Sequence, residues 1–216
     1  WLIIMIKWGI IGLGNMGQKF ARAITETNNS NLAGVASKDT NKIKNFTSKH
    51  NFKDLVTYNN YDEIIKDKNI TAIYIATLNN THFELIKKCS ENNKNILCEK
   101  PFTLNYDEGR EVYDYITKNR IIFYEGFAYR SHPQTKIIQD IVQNNELGEI
   151  KNIQSSFGFK INKIKPDSRL FNKKLGGGAI LDVGCYPLSI LNLFYKDPDS
   201  YKFFNTKGNL THTNVD

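Results

Sequence analysis

Cysteine is scarce in this 216-residue chain, and the three that occur form no functional pattern. Cys89, Cys98 and Cys185 match neither the spacing of a metal site nor that of a C-x-x-C redox pair. A low, odd count is typical of proteins from a reducing compartment, in which cysteines serve as small buried core residues. We therefore expect no metal site, and we expect a cytoplasmic protein.

Long apolar runs are also missing. The first six residues are apolar, but Lys7 and Gly9 interrupt the run before it reaches the length of a signal-peptide core. We expect no apolar stretch of the chain to be long enough to span a bilayer, and hence no membrane partner.

Clustered basic residues are missing as well, although the formal net charge is +7. Only five of the 29 basic residues are arginine, and no run of five or more basic residues occurs. This scatter is typical of solvated helix faces in a lysine-rich chain rather than of a nucleic-acid footprint. No nucleic-acid partner is expected, whereas an anionic cofactor or substrate suits the positive charge.

Short β-branched runs alternate with longer amphipathic stretches in the first half of the chain. This alternation is typical of βαβ units in a doubly wound, mainly parallel α/β sheet. The predicted strands are residues 6–11, 32–36, 72–76, 96–98 and 121–124, and the predicted helices are residues 18–27, 41–50, 61–66, 82–92 and 107–118.

The rhythm changes beyond the middle of the chain. A helix is predicted at residues 134–143 and a long strand at residues 150–160, followed by a glycine run at residues 176–178. One strand and one helix do not make a stable sheet domain. We therefore predict a complete first domain over residues 1–125 and a partial second domain over residues 126–216.

A glycine fingerprint lies between the first predicted strand and the first predicted helix. A G-x-G-x-x-G sequence alone is a weak signal, but this position favours a dinucleotide-binding site over a plain glycine-rich turn. In such a site Gly12 forms the tight turn, Gly14 admits the pyrophosphate to the backbone, and Gly17 lets the helix pack on the strand. The first domain is therefore predicted to be a Rossmann domain whose cofactor contacts Gly12, Leu13, Gly14, Asn15, Met16 and Gly17.

The end of the second predicted strand bears on which dinucleotide is bound. An NAD site usually has Asp or Glu here to hold the ribose 2′-hydroxyl. This chain instead has Ser37 and Lys38, which suit the 2′-phosphate of NADP unless they form an ordinary exposed loop. Because Asp39 follows directly and is able to take the ribose role, NADP is preferred and NAD stays possible.

Two further segments carry candidate catalytic groups. Lys100 follows a predicted strand within a Glu-Lys-Pro sequence, and doubly wound sheets bind ligands at the carboxyl ends of their strands. Downstream, Asp182 and Tyr186 have the i, i+4 spacing that places residues on one helix face. Without Lys100, a structural role for this pair, as a cap and a core aromatic, is favoured, and Pro187 favours a helix start near Gly184.

In combination these motifs resemble the glucose–fructose oxidoreductase/inositol dehydrogenase family. The resemblance extends over roughly residues 5–195 and is carried by the glycine fingerprint and by residues 77–82, 99–101, 125–133 and 176–186. It implies a Rossmann domain followed by an α+β domain with an open, mainly antiparallel sheet. This chain holds only part of that second domain, and the full-length form is expected to be a homo-oligomer.

The resemblance also implies roles for single residues. The catalytic Lys and Asp of the family correspond to Lys100 and Asp182, and Tyr186 stands where many members have His. In this respect the chain resembles the branch of the family that contains dihydrodiol dehydrogenases and NADP-dependent xylose dehydrogenases. That branch favours NADP. The residues that match the cofactor-binding segments of the family are Thr77, Asn79, His82, Glu99, Lys100 and Arg130, although His82 is equally well read as a structural histidine.

These roles predict reversible oxidation of a secondary alcohol in a sugar or cyclic diol, with the hydride passing to the nicotinamide. A free tyrosine has a pKa of about 10, so Tyr186 needs a neighbouring Lys100 ammonium to stabilise its phenolate and let it act as general base. Lys100 also polarises the substrate oxygen, and Asp182 orients Lys100 or a substrate hydroxyl. The alternatives are a non-catalytic dinucleotide- or sugar-binding regulatory protein, or an inactive fragment of such an enzyme.

Overall fold

The computed structural model describes residues 5–194, and the chain divides into two compact units. The first unit is Trp1–Gly126 and the second is Phe127–Asp216. The first unit contains a sheet covered by helices on both faces. The described part of the second unit is helical and irregular.

Six parallel strands form the sheet of the first unit, in the order β3-β2-β1-β4-β5-β6. The winding reverses between β1 and β4, as in a doubly wound α/β fold, which confirms the predicted fold class of this unit. The sequence pattern predicts five of the strands and misses the short β3. The strands are β1 (Ile6–Ile11), β2 (Ser30–Ala36), β3 (Val56–Tyr58), β4 (Ala72–Ile75), β5 (Asn95–Cys98) and β6 (Phe123–Glu125).

Five helices connect the strands, and polar caps set where three of them begin. The Asp39 carboxylate accepts hydrogen bonds from the backbone N–H groups of Asn41 and Lys42. Asn60 and Asn105 cap their helices in the same way, because a short polar side chain replaces the missing helical acceptor. The helices are α1 (Asn15–Thr25), α2 (Thr40–Lys49), α3 (Tyr61–Lys66), α4 (His82–Glu91) and α5 (Tyr106–Asn119).

The sheet is buried on both faces because neighbouring residues of a strand point to opposite sides. Ile10 and Tyr74 pack with residues of α1 and α2, whereas Ile11 and Ile75 pack with residues of α3, α4 and α5. All four residues of β4 are buried. A continuous apolar strand between two helix layers is the arrangement that the β-branched runs predict.

Two helices dominate the described part of the second unit. The first is α6 (Pro133–Gln143), and the second is α7 (Cys185–Phe194), which directly follows a π-helical turn (Ile180–Gly184). Pro187 lies in the first turn of α7, the part of a helix that tolerates proline best. The predicted start of this helix near Gly184 is therefore confirmed.

The long strand predicted over residues 150–160 is wrong. Residues 151–160 belong to no helix or strand. An extended segment becomes a strand only when a neighbour pairs with its N–H and C=O groups, and no other strand of the second unit occurs within the described residues 127–194. Phe157 and Phe159 of this segment are each 55% exposed, so no described residue covers their rings fully.

One helical stretch of the second unit, residues 173–194, is long and apolar enough to cross a membrane, judged by length and composition alone. The expectation that no stretch reaches this length is wrong by that criterion. A single such stretch is weak evidence for a membrane-spanning helix, because a core helix of a globular protein passes the same test. This stretch also turns at Gly176, with φ 77°, and carries Asp182 in an ion pair.

A carboxylate that ties β3 to the loop before β4 predicts a pH dependence of stability. The Asp67 side chain accepts hydrogen bonds from the hydroxyl of Tyr58 and from the backbone N–H of Asn69, and these bonds lower the pKa of Asp67. A carboxyl whose pKa is lower in the folded chain stabilises the fold above the unfolded pKa of about 3.9, and this contribution is lost as the pH falls below that value. Asp67→Asn is therefore expected to lower stability at neutral pH and to make the remaining stability less sensitive to acid.

The measurement is the free energy of unfolding in urea at several pH values between about 3 and about 7, which span the titration of an aspartate. The difference between the unchanged chain and Asp67→Asn should shrink as the pH falls. Asp114→Asn, at an exposed position of α5, controls for the loss of one negative charge. A difference for Asp67→Asn that is constant with pH contradicts the expectation.

Candidate functional site

The carboxyl ends of β1 and β4 lie side by side where the sheet reverses its winding, and the glycine fingerprint occupies this position. Gly12 has φ 99°, in the region that favours glycine. A Cβ on Gly12 would lie 2.5 Å from the carbonyl oxygen of Ala76, and a Cβ on Gly17 would lie 2.3 Å from the carbonyl oxygen of Gly12. The start of α1 therefore reaches the ends of both strands only because these two positions are glycine.

Gly14 differs from the other two glycines because its Cβ direction opens onto empty space. No heavy atom lies within 4 Å of a Cβ added there, and no side chain caps α1 at this residue. The first N–H groups of a helix have no partner within it, and the helix dipole makes this end positive. Gly14, Asn15 and Met16 are exposed, whereas the Leu13 side chain is buried in the core and leaves only its backbone to a ligand. This cradle fits the pyrophosphate of a dinucleotide.

Ser37 and Lys38 follow β2 at the same edge of the sheet. Ser37 is buried, and its hydroxyl oxygen accepts the backbone N–H of Asp39 at 3.1 Å. The Lys38 ammonium lies over the ring of Tyr61, 5.3 Å from its centroid. Asp39, the residue that kept the NAD alternative open, uses its carboxylate as the N-cap of α2.

The segment after β4 folds into a 3₁₀ turn over Asn79–Thr81. The hydroxyl oxygens of Thr77 and Thr81 are 2.6 Å apart, and Asn79 is buried. A Cβ on Gly12 would lie 3.0 Å from the methyl carbon of Thr77, so this turn packs against the glycine fingerprint. The structure therefore brings Thr77 and Asn79 to the predicted cofactor edge.

His82 is fully buried and joins two loops of this edge. Its Nδ1 lies 2.8 Å from the carbonyl oxygen of Pro101, and its Nε2 lies 3.3 Å from that of Thr77. Burial lowers the pKa of the imidazole, so the ring is neutral and donates one hydrogen bond, for which the shorter contact with Pro101 is the better geometry. With 0% exposure, His82 has no surface for a cofactor, which agrees with the alternative that it is a structural histidine.

Glu99 and Lys100 follow β5 at the next position along the edge. The Glu99 N–H donates to the carbonyl oxygen of Ile75, and the Glu99 carboxylate accepts the hydroxyl of Tyr74 at 2.5 Å. Burial and the neighbouring Glu99 charge raise the pKa of Tyr74, so the phenol stays protonated and keeps donating. Lys100 is half-buried, and the peptide bond that joins it to Pro101 is cis.

The remaining candidates lie in the second unit, where Arg130 contacts α7. Its Nε donates to the hydroxyl of Ser189 at 3.1 Å, and its Nη2 donates to the Ser189 carbonyl oxygen at 3.3 Å. The Tyr129 hydroxyl donates to the Ser189 hydroxyl oxygen at 2.7 Å. Arg130 therefore fixes the segment after the first unit to α7, and its predicted contact with a cofactor stays a prediction.

Asp182 and Tyr186 lie one helical turn apart, the first in the π-helical turn and the second in α7. Asp182 is only 8% exposed, and its carboxylate accepts a hydrogen bond from Arg169 Nη1 at 2.9 Å. Three aromatic rings surround Tyr186 on one side, with centroid distances of 5.0 Å to Phe157, 5.3 Å to Phe127 and 6.3 Å to Tyr129. The sequence pattern finds Asp182 and Tyr186. It finds neither the arginine that pairs with Asp182 nor the three aromatic rings around Tyr186.

Sequence reasoning misses three residues that support predicted ones: Tyr61 beneath Lys38, Tyr74 on Glu99, and Arg169 on Asp182. Each is separated from its partner by 13 residues or more along the chain. No local spacing or motif signals such a pair. A buried tyrosine in a strand that ends at the cofactor edge is the only indication that the sequence offers, and it applies to Tyr74 alone.

Two family profiles match the chain, in the order of its two units. Residues 6–127 match the oxidoreductase family with an NAD-binding Rossmann fold, and residues 135–215 match the GFO/IDH/MocA C-terminal domain. The chain belongs to this oxidoreductase family. The resemblance inferred from the motifs is thereby confirmed, and the glycine cradle described above is that of an NAD-binding Rossmann domain.

Two curated relatives of this chain are named as dehydrogenases. Trans-1,2-dihydrobenzene-1,2-diol dehydrogenase of Xenopus tropicalis is 32% identical over 97% of this chain and 62% of its own length. D-xylose 1-dehydrogenase (NADP(+)) 2 of Haloferax volcanii is 30% identical over 90% of this chain and 58% of its own length. The chain thus spans about three fifths of the length of these relatives, and its second domain is partial.

Solved structures share the fold. KijD10, a 3-ketoreductase from Actinomadura kijaniata crystallised with NADP and TDP-benzene, has a TM-score of 0.77 and 25% identity, over 88% of this chain and 57% of its own. An oxidoreductase from Desulfitobacterium hafniense, described as NADPH-dependent, has a TM-score of 0.80 over 88% of this chain and 55% of its own. At 19% identity, the second likeness supports the fold alone.

Two glycines of the fingerprint, Gly14 and Gly17, predict different effects of the same substitution. Gly14→Ala should leave stability unchanged, because its backbone at φ −75° accepts alanine and its Cβ meets no atom, but it should weaken dinucleotide binding by filling the cradle. Gly17→Ala should lower stability by about 1–3 kcal/mol, because its Cβ collides with the Gly12 carbonyl. Thermal unfolding and nicotinamide fluorescence titration separate the two effects.

Gly158→Ala, at a position of the second unit with open space around it and without a positive φ, is the control for a glycine change remote from the fingerprint. Unchanged cofactor affinity in a stable Gly14→Ala chain would place the pyrophosphate elsewhere.

The ion pair on the π-helical turn predicts a local effect in the second unit. Arg169→Met removes a charged donor from the buried Asp182, which should destabilise the turn by about 1 kcal/mol once solvent screening of the half-exposed guanidinium is allowed for. Hydrogen exchange of the amides at residues 180–184 should then be about fivefold faster. Lys173→Met, at an exposed position nearby, should leave their exchange unchanged. Equal exchange in both variants would show that the ion pair does not hold the turn.

Proposed function

We propose that this chain is part of an NADP(H)-dependent oxidoreductase that transfers a hydride between the nicotinamide and a secondary alcohol of a sugar or cyclic diol. The observation that carries the proposal is the edge of the sheet at which the open cradle of Gly14 stands between Lys38, after β2, and Lys100, after β5. The names of the curated relatives support the substrate class, since one acts on a cyclic diol and the other on a sugar.

The residues of the first unit suit NADP better than NAD. Lys38 supplies a cation, and Ser37 a hydroxyl, at the strand end where a ribose 2′-substituent is bound in this fold. Asp39 is the acidic residue nearest this strand end, and its carboxylate already accepts the N–H groups of Asn41 and Lys42. The NADP in the name of the xylose dehydrogenase and in the KijD10 crystals agrees with this preference.

The chain's own groups divide the chemistry between them. The bound nicotinamide supplies the hydride acceptor or donor. With that group bound, the Tyr186 phenolate would accept the proton of the alcohol oxygen as the carbinol carbon becomes a carbonyl carbon. The Lys100 ammonium donates a hydrogen bond to that oxygen and stabilises the negative charge that develops on it. Asp182, held by Arg169, orients a substrate hydroxyl.

The non-catalytic alternative is not favoured, because a regulatory binding protein does not require Lys100 and Tyr186 in addition to the glycine cradle. We keep two expectations as proposals, both from the resemblance and the composition: that the full-length protein is a homo-oligomer and that it is cytoplasmic.

The experiment pairs cofactor binding with turnover. NADPH should bind more tightly than NADH, as followed by nicotinamide fluorescence. With NADP and a panel of cyclic diols and aldoses, NADPH formation should be measurable by absorbance, and Lys100→Met should lower it about 10²- to 10⁴-fold, the usual contribution of a positioned acid–base group. Lys118→Met, on α5, is the control for loss of one lysine. Full turnover in Lys100→Met, or, in the full-length protein, cofactor binding with no turnover on any alcohol, contradicts the enzymatic proposal.

A further inference from the structure

Lys38, the cation that the proposed function assigns to the 2′-phosphate, does not extend freely from the end of β2. Its ammonium lies over the aromatic ring of Tyr61, 5.3 Å from the centroid. Tyr61 is the first residue of α3, whose start is fixed by the Asn60 cap. The ring is half-buried and packs against the core cluster that includes Ile64 and Ile65. The platform beneath Lys38 is therefore anchored in the core of the first unit.

The main chain on either side of Lys38 is also held by hydrogen bonds. The backbone N–H of Asp39 donates to the Ser37 hydroxyl at 3.1 Å. The neighbouring Ser37 is fixed as well, because its N–H donates to the carbonyl oxygen of Tyr58 at the end of β3.

Holding the lysine in place matters because its side chain is long and flexible. A free lysine loses about 2 kcal/mol of rotamer entropy when it is fixed, so a lysine that is already oriented binds a phosphate with less loss. A cation–π contact at an exposed site contributes about 0.5–1 kcal/mol, enough to favour one orientation of the side chain. An anion that approaches from the open side meets an ammonium whose position is set in advance.

We propose that Tyr61 is a positioning residue for cofactor specificity: it presents Lys38 to the 2′-phosphate of NADP and thereby raises the preference for NADP over NAD. The inference rests on the proposed function, because it needs the dinucleotide to lie in the Gly14 cradle with its ribose at the end of β2. It adds Tyr61 to the residues of that function. Tyr61 is the first residue of α3 and is remote from the glycine fingerprint in the sequence.

The alternative is that Tyr61 serves only the packing of α3. A structural role alone would weaken NADPH and NADH binding together, since both cofactors use the same cradle. A role through Lys38 moves only the ratio of the two dissociation constants, because NADH lacks the 2′-phosphate. The ratio therefore separates the two roles even if a variant loses some stability.

The test measures dissociation constants for NADPH and NADH by nicotinamide fluorescence in five chains: unchanged, Tyr61→Leu, Tyr61→Phe, Lys38→Met, and Tyr61→Leu combined with Lys38→Met. Lys38→Met should weaken NADPH binding about 10- to 100-fold, the loss of one charged hydrogen bond, and leave NADH binding unchanged. Tyr61→Leu should weaken NADPH binding about two- to fivefold, the cation–π contribution, again without effect on NADH. Tyr61→Phe keeps the ring and should have the smaller effect.

The chain offers a matched control in Lys87 and Tyr115, which form the same contact at 5.3 Å between α4 and α5. Tyr115→Leu removes an identical ammonium–ring contact away from the strand ends and should leave both dissociation constants unchanged. In the double variant, Tyr61→Leu should add nothing to Lys38→Met, because a residue that acts through Lys38 has no effect without it.

Two failures are distinguishable. If the unchanged chain binds NADH as tightly as NADPH, the NADP preference of the proposed function and this inference are both overturned. If the chain prefers NADPH through Lys38, but Tyr61→Leu leaves the NADPH to NADH ratio unchanged or has the same effect in the double variant, the inference alone is overturned.

Discussion

The first unit depends on a close approach of three backbone segments at Gly12. The end of β1, the first turn of α1 and the end of β4 meet there at distances that leave no room for a Cβ on Gly12 or Gly17. This contact brings the positive end of α1 into the gap where the sheet reverses its winding. Core packing and ligand binding therefore rely on the same few atoms, and the strand ends that carry Ser37, Thr77 and Glu99 are arranged around them.

The regular elements of the first unit follow closely from sequence patterns, and the exceptions have local causes. The predicted bounds of β1 and α3 are the observed ones, Ile6–Ile11 and Tyr61–Lys66, because an isoleucine-rich run and an Asn cap mark them. Helix α1 begins at Asn15, three residues before the predicted start, because the fingerprint itself forms its first turn. Strand β3 is a Val-Thr-Tyr segment whose residues favour a strand, but its three residues are too few for the pattern to mark, and it is defined by its pairing with β2.

The sequence predicts where the candidate site residues lie, but not which side chains contact them. In a doubly wound sheet, topology alone brings Lys38, Thr77 and Lys100 to one edge, so motifs at strand ends suffice to find them. Which side chain lies beneath Lys38, or which guanidinium meets Asp182, depends on packing between residues far apart in the sequence. The predicted strand at residues 150–160 failed for a related reason: its alternation shows what the segment is suited for, but a strand also needs a neighbour.

The N-cap role of Asp39 limits how this domain is able to evolve. An acidic residue directly after β2 looks like a ready contact for the ribose hydroxyls of NAD, only one step along the chain from the usual position. Its carboxylate, however, already closes the first turn of α2, so recruiting it for the cofactor would unravel the start of that helix. A domain of this kind that held the ribose hydroxyls through a carboxylate would need that acid at position 37 or 38, with Asp39 kept as the cap. The helix cap therefore limits which residues after β2 are available to a dinucleotide.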